Sequence, residues 1–258
     1  MFYTLFLERG IFLLSTPMKF QTQKTAFYVL VTYILFQLSS FILLIPPIKV
    51  FFLQFIKEDG VNASITLAAW WSSVTAAIAF VVCIILISKN KIFWNVFNGE
   101  KASIPVSIGW GIIGFFLVYL GQTIGAYIEL ALGIEFGSEN TETIMKVTEI
   151  APIMIITTVL FGPILEEFVF RRVVFGSIIQ TQNFWVAGIV SSIIFAAIHL
   201  DFTHIILYTI SGFVFAFLYY KTKRILTSII SHMLLNGFVT FIQLNADKLQ
   251  QITDQLTK

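Results

Sequence analysis

The chain has 258 residues, of which 57% are hydrophobic and only 12% charged, with 28 phenylalanines and a formal net charge of +2. A soluble domain of this length carries about a quarter charged residues. A mean hydropathy of +0.89 therefore excludes an ordinary water-soluble protein, and the small net charge gives no support to nucleic-acid binding. One cysteine, Cys83, sits inside an apolar run; that rules out a disulfide framework and paired-thiol chemistry and leaves Cys83 as a lipid-facing or packing residue.

The first stretch, "MFYTLFLERGIFLLSTPMKF", has short apolar runs split by Glu8 and Arg9 and no clear small-residue cleavage site. It reads as an amphipathic surface segment or as a product of start-codon choice, because Met18 precedes the more usual basic lead "KFQTQK". Six long apolar segments follow: Phe27 to Pro46, Ile65 to Ser88, Val106 to Ile128, Trp185 to His199, Ile205 to Tyr220 and Leu226 to Leu244. A helical membrane span needs about 20 such residues. A seventh segment, from about Thr143 to Ile179, is too long for one untilted crossing at about 1.5 Å per residue. It is expected to tilt, or to break near Gly162-Pro163, where proline removes a backbone donor.

The expected fold is thus all-α, a polytopic membrane helix bundle of about seven transmembrane helices, or eight if the long segment divides. Residues 1–142 make a leader and three spans, 143–245 a catalytic bundle, and 246–258 a polar tail. Arg9, Lys19 and Lys24 in the leader, three lysines between Lys89 and Lys101, and "KTKR" at Lys221 to Arg224 are basic, whereas the loop from Glu129 to Glu149 is acidic. The positive-inside rule then puts the amino terminus and both basic loops in the cytoplasm, and seven crossings leave the carboxyl terminus outside. The chain is expected to be a multi-pass protein of a bacterial cell membrane.

An ionisable group in the hydrocarbon region costs several kcal/mol and marks a candidate functional site. "GPILEEFVFRR", Gly162 to Arg172, is such a case. Glu167 and Arg171 are four apart and share a helix face as an ion pair. Glu166, five before Arg171, points roughly 140° away and is left for chemistry; a poorly compensated carboxylate in an apolar site suits a general base. Phe195 and His199 are also four apart, as are His232 and Asn236. The ring of Phe195 can brace the imidazole of His199, and His232 and Asn236 offer two polar groups to one point. His204, outside an apolar helix, is read as a packing or interface residue. No His-Glu-x-x-His, P-loop or dinucleotide fingerprint occurs, so neither nucleotide nor nucleic acid is an expected partner.

Glu166, Glu167 and Arg171, then Phe195 and His199, then His232 and Asn236, in that order, resemble the motifs of the CPBP family, the CAAX prenyl endopeptidase and bacteriocin-processing (Abi) group of intramembrane proteases. The likeness covers about Thr143 to Leu244. It implies an intramembrane endopeptidase acting on a membrane-associated peptide or protein precursor, in the surrounding lipid. Glu166, helped by His199, would activate water; His232 and Asn236 would hold the oxyanion; Glu167, Arg171 and Phe195 would support them. Bacteriocin or pheromone maturation, or self-immunity, is the setting the likeness suggests. No cofactor is required, although Glu166, His199 and His232 are enough ligands for a zinc ion. Two other readings stand beside it: a non-catalytic immunity or regulatory protein of the same fold, and, with less support, a transporter.

Overall fold

The computed structural model describes residues 20–256; the expectation about a surface leader concerns residues 1–19 and lies outside them. Every regular element described is helical. They are α1 (Phe20–Ser39), continued by a 3₁₀ turn (Ser40–Leu44), α2 (Pro46–Leu53), α3 (Gly60–Ser88), α4 (Ile104–Ala131), α5 (Glu139–Ile150), a composite helix α6 (156–178), α7 (Phe184–Ala197), α8 (Ile205–Thr222), α9 (Ile225–Leu244) and α10 (Ala246–Leu256). Five segments are long and apolar enough to cross a membrane: Gln23–Leu44, α3, α4, α8 and α9. The other two expected spans are built differently. Helix α6 carries Glu166, Glu167, Arg171 and Arg172 within its length, and α7 is only 14 residues long, about 21 Å.

The long seventh segment breaks at Pro152 rather than at Gly162-Pro163. Ala151, just before that proline, leaves the helical region with φ −133° and ψ 86°, as the clash of a proline ring with the preceding residue requires. At Gly162-Pro163 the helix runs on because it has already widened. Ile156–Phe161 is a π-helix in which Gly162 N–H bonds back to Thr157 O, and a second π stretch occupies Phe168–Phe175. The acidic "loop" is also partly helix. Glu129 belongs to the last turn of α4, and Ser138 caps α5 through Thr141 N–H at 3.2 Å, with Glu139 and Glu142 in the first turn. Both devices favour a helix N-terminus. The expected polar tail is helical too, as α10.

In lipid, helices gain little from hiding apolar surface, and association rests on close packing of small residues. A Cβ on Gly111 would lie 2.8 Å from Ile230 of α9, one on Gly125 2.9 Å from Ile210 of α8, and one on Gly212 3.0 Å from the Ser192 backbone of α7. These approaches draw α4, α7, α8 and α9 together around α6. Cys83 is fully enclosed in the shared core with Ala79, Leu165, Phe168 and Phe215, which settles it as packing. Leu35, Ile78, Phe116, Ile193 and Phe241 face outward, as a lipid belt demands.

The ends of the bundle differ. Asn90 donates to Thr25 at 3.0 Å, Ala102 N–H to Thr222 O at 3.0 Å, Lys223 to Asn98 O at 2.6 Å, and the Arg224 side chain to Ala102 O. The start of α1, the basic 89–103 loop and the α8–α9 corner therefore lie at one end. Ser138 and Asp201, joined at 2.7 Å, lie at the other.

Candidate active site

Glu166 and Glu167 sit side by side on α6 yet face different surroundings. The Glu167 carboxylate is fully buried, 3.2 Å from Arg171 Nε. That contact is charge against charge without hydrogen-bond alignment, since the guanidinium nitrogens have no hydrogen-bond partner. Two rings stand in for one: the guanidinium lies over Phe195 at 4.9 Å and over Phe215 at 5.5 Å, a cation–π arrangement that gains strength where water is absent. The other oxygen of Glu167 accepts from His232 Nδ1 at 3.1 Å. Because a carboxylate paired with arginine can only accept, His232 carries its hydrogen on Nδ1 and presents Nε2 to Glu166, 3.7 Å away. Phe215 stacks on the His232 ring at 4.5 Å and 21°. Glu166 keeps 19% of its side-chain surface open, and that surface faces a cavity.

His199 arrives from the short α7. Its Nδ1 donates to Phe195 O at 2.9 Å; a carbonyl only accepts, so Nε2 is left with the lone pair in the neutral ring. Phe195 meets the imidazole edge-on at 4.8 Å, and Tyr208 stacks on it at 4.1 Å and 26°. The helix stops two residues before it, after about 21 Å, with Leu200 in a left-handed conformation at φ 55°, and His199 lines the same cavity as Glu166.

Asn236 shows what Pro163 does. In the π register, with Gly162 N–H on Thr157 O, the next donor to Thr158 O would be residue 163, and proline has none. Asn236 Nδ2 takes that place at 2.9 Å. An amide nitrogen has two hydrogens, so one remains for the cavity.

Glu166, His199, His232 and Asn236 all line one cavity of about 440 Å³. No lysine or arginine lines it among the described residues. Its far wall holds residues that sequence reasoning missed. His204 Nδ1 lies 2.8 Å from Glu129 Oε2, both buried, and Leu207 N–H donates to Glu129 at 3.4 Å. Ser138 joins Asp201 at 2.7 Å and the Tyr208 hydroxyl at 2.9 Å. His204 is thus a satisfied polar residue, as read from sequence, but one facing the cavity. Its partner lies 75 residues away, and no local pattern announces that pairing.

Zinc needs three protein ligands around one point in a catalytic site. Among the described residues no three His, Cys, Asp or Glu side chains gather so as to hold a metal ion: both nitrogens of His232 face carboxylates. The arrangement does not fit the zinc site that the sequence left open.

Fold and site define a membrane-embedded helix bundle enclosing a chamber of carboxylate, imidazole and amide groups. The family model for type II CAAX prenyl endopeptidase Rce1-like proteins matches residues 148–238. The chain is 40% identical over 223 residues, 86% of its own length and 90% of the relative's, to the putative membrane peptidase YdiL of Bacillus subtilis. It is 33% identical over 234 residues, 88% of its length and 93% of the relative's, to the membrane-embedded CAAX protease MroQ of Staphylococcus aureus. No solved structure matches. The chain belongs to this family of membrane CAAX-type proteases and is an intramembrane peptidase.

Proposed function

We propose that the chain hydrolyses a peptide bond within a membrane-associated peptide or protein precursor, with Glu166 as the base that activates water. The observation that carries this reading is the convergence of Glu166, His199, His232 and Asn236, from α6, the end of α7 and α9, on one cavity. Water held between Glu166 and the lone pair of His199 Nε2 attacks the carbonyl carbon, and Glu166 takes its proton. The oxygen that becomes negative is met by the free N–H of Asn236; His232 joins it as a donor only with a hydrogen on Nε2 as well as on Nδ1. Fixed donors of this kind, away from water, are worth a few kcal/mol each. Glu166 then passes that proton to the leaving amine as the C–N bond breaks. Glu167 and Arg171 orient His232 and do not react.

The proposed mechanism is metal-free, in keeping with the lack of a three-ligand cluster among the described residues. The proposed substrate is a membrane-associated peptide or protein precursor, in the setting of bacteriocin or pheromone maturation or of self-immunity; the relatives named as a membrane peptidase and a membrane-embedded CAAX protease are both bacterial. A prenyl group is not required by it. The membrane is the cell membrane, with the basic end of the bundle in the cytoplasm, as the loop charges imply.

The test is hydrolysis of membrane-peptide libraries by purified protein in detergent, read by mass spectrometry. Glu166→Gln is expected to lower turnover by about 10²–10⁴-fold, the range of general-base catalysis, at unchanged expression and unfolding temperature. Full activity in that variant would end the assignment. Activity lost to a strong chelator and restored by zinc, with one zinc per chain, would replace the metal-free mechanism.

A further inference from the structure

At the end of the bundle remote from the catalytic chamber, the α8–α9 corner and the 89–103 loop enclose a second cavity, of about 220 Å³. Lys101, Lys223 and Arg224 line it together with Trp94, Tyr219, Ile225 and Leu226. Three cations converge there, and among the described residues none forms a salt bridge with a carboxylate. Two have part of their donor capacity engaged: Lys223 on Asn98 O and Arg224 Nε on Ala102 O. Those bonds fix the side chains in place without neutralising them. Partial burial lowers the Lys101 ammonium below the usual lysine range, and Arg224 alongside lowers it further.

Two further features add positive potential or hold it in position. Helix α9 begins at this cavity, and its N-cap residue, Arg224, makes no side-chain cap, so the amides of Ile225 and Leu226 add the positive end of a 20-residue helix. Lys223 itself adopts a left-handed conformation, φ 56° and ψ 20°, at the position after a helix where glycine is favoured. A lysine there gives up the easier backbone for a placed ammonium.

We propose that this basic pocket binds a phosphate group, supplied by an anionic phospholipid of the adjoining leaflet. The chemistry is that of an oxyanion: ammonium and guanidinium donors, with backbone amides at a helix N-terminus. The apolar share of the lining argues for lipid over free phosphate. Trp94, Ile225 and Leu226 stand beside the cations at the level where α9 turns from loop to apolar span, so a diester phosphate can bond inward while its acyl chains follow the helix. Basic pockets between spans on the cytoplasmic side suit such headgroups. Positive-inside charge alone would scatter lysines along the loops; here they share one hollow, and a bound phosphate would staple the 89–103 loop to the helix that carries His232 and Asn236.

The test uses the full chain in nanodiscs of phosphatidylcholine with or without phosphatidylglycerol, with bound lipid read by native mass spectrometry. Among the described residues Lys101 forms no hydrogen bond or salt bridge, unlike Lys223 and Arg224, so it is the residue to vary. Phosphatidylglycerol is expected to be retained selectively and to raise the unfolding temperature. Lys101→Gln should weaken retention by about fivefold and Lys101→Glu by about twenty-five-fold, both with unchanged hydrolysis of a soluble peptide. A second arm adds inorganic phosphate to phosphatidylcholine nanodiscs. Stabilisation there that Lys101→Glu abolishes, with no selective lipid retention, keeps the site and makes free phosphate its source. Equal lipid retention by parent and Lys101→Glu proteins, with no phosphate effect, overturns the proposal.

Discussion

Asn236 already gives one amide hydrogen to Thr158 O, so its orientation is fixed before any substrate arrives. A donor held this way acts mainly on charge that develops in the transition state. Asn236→Ala is therefore expected to lower single-turnover cleavage by about 10²–10³-fold with little change in peptide binding; a matching loss of affinity would make it a substrate-binding residue instead. Arg171 is a different case. Its loss leaves Glu167 buried and unpaired beside His232, at a cost of about 3–5 kcal/mol, so Arg171→Ala should fall sharply in folded yield and unfolding temperature. Combining Glu167→Gln with Arg171→Met removes both charges and should be milder than Arg171→Ala alone. Equal damage from the single and double variants would show that the two side chains do not act as a pair. The Glu167–Arg171 contact was legible because i and i+4 lie on one helix face. His232 bridging the two glutamates was not, since α6 and α9 meet only in the folded bundle.

At the level of helices, α6 and α7 are the elements whose form depends on single residues. Replacing Pro163 by alanine restores an N–H in register with Thr158 O and releases Asn236 from that duty. Pro163→Ala is expected to keep or raise the unfolding temperature while lowering turnover; a variant as active as the parent would show that Asn236 needs no such tether. Gly212 is where α7 meets α8. A Cβ there would stand 3.0 Å from the Ser192 backbone and 3.1 Å from the Phe195 ring. Gly212→Ala should cost about 1–3 kcal/mol by overpacking, and should lower activity as well, because Phe195 braces His199; thermal unfolding in detergent and peptide hydrolysis measure the two. Apolar runs revealed the long helices, and the short run from Trp185 to His199 ended within two residues of the end of α7. The widened turns of α6 were hidden, because a short π stretch moves each hydrogen bond by one residue and leaves the apolar pattern almost intact.

Across the whole molecule, the hydrogen bonds linking Thr25 with Asn90 and Ala102 with Thr222 put the basic loops at one end, although the full count of crossings rests on α6 and α7 passing through. Reporter fusions decide it. A fusion at Gln182, between α6 and α7, is expected to behave as cytoplasmic, and one after Lys258 as external; an external signal at Gln182 would mean that α6 does not cross. The rim of the chamber invites a finer measurement. Cys83, the only thiol in the chain, is sealed in the core at 0% exposure, beyond the reach of water-borne maleimides in the folded state. The native chain is thus a silent background for spectroscopic labels: a single cysteine at Glu135, which lines the chamber, could carry a spin probe with no prior substitution, and the mobility of that probe would report on the chamber as substrate enters.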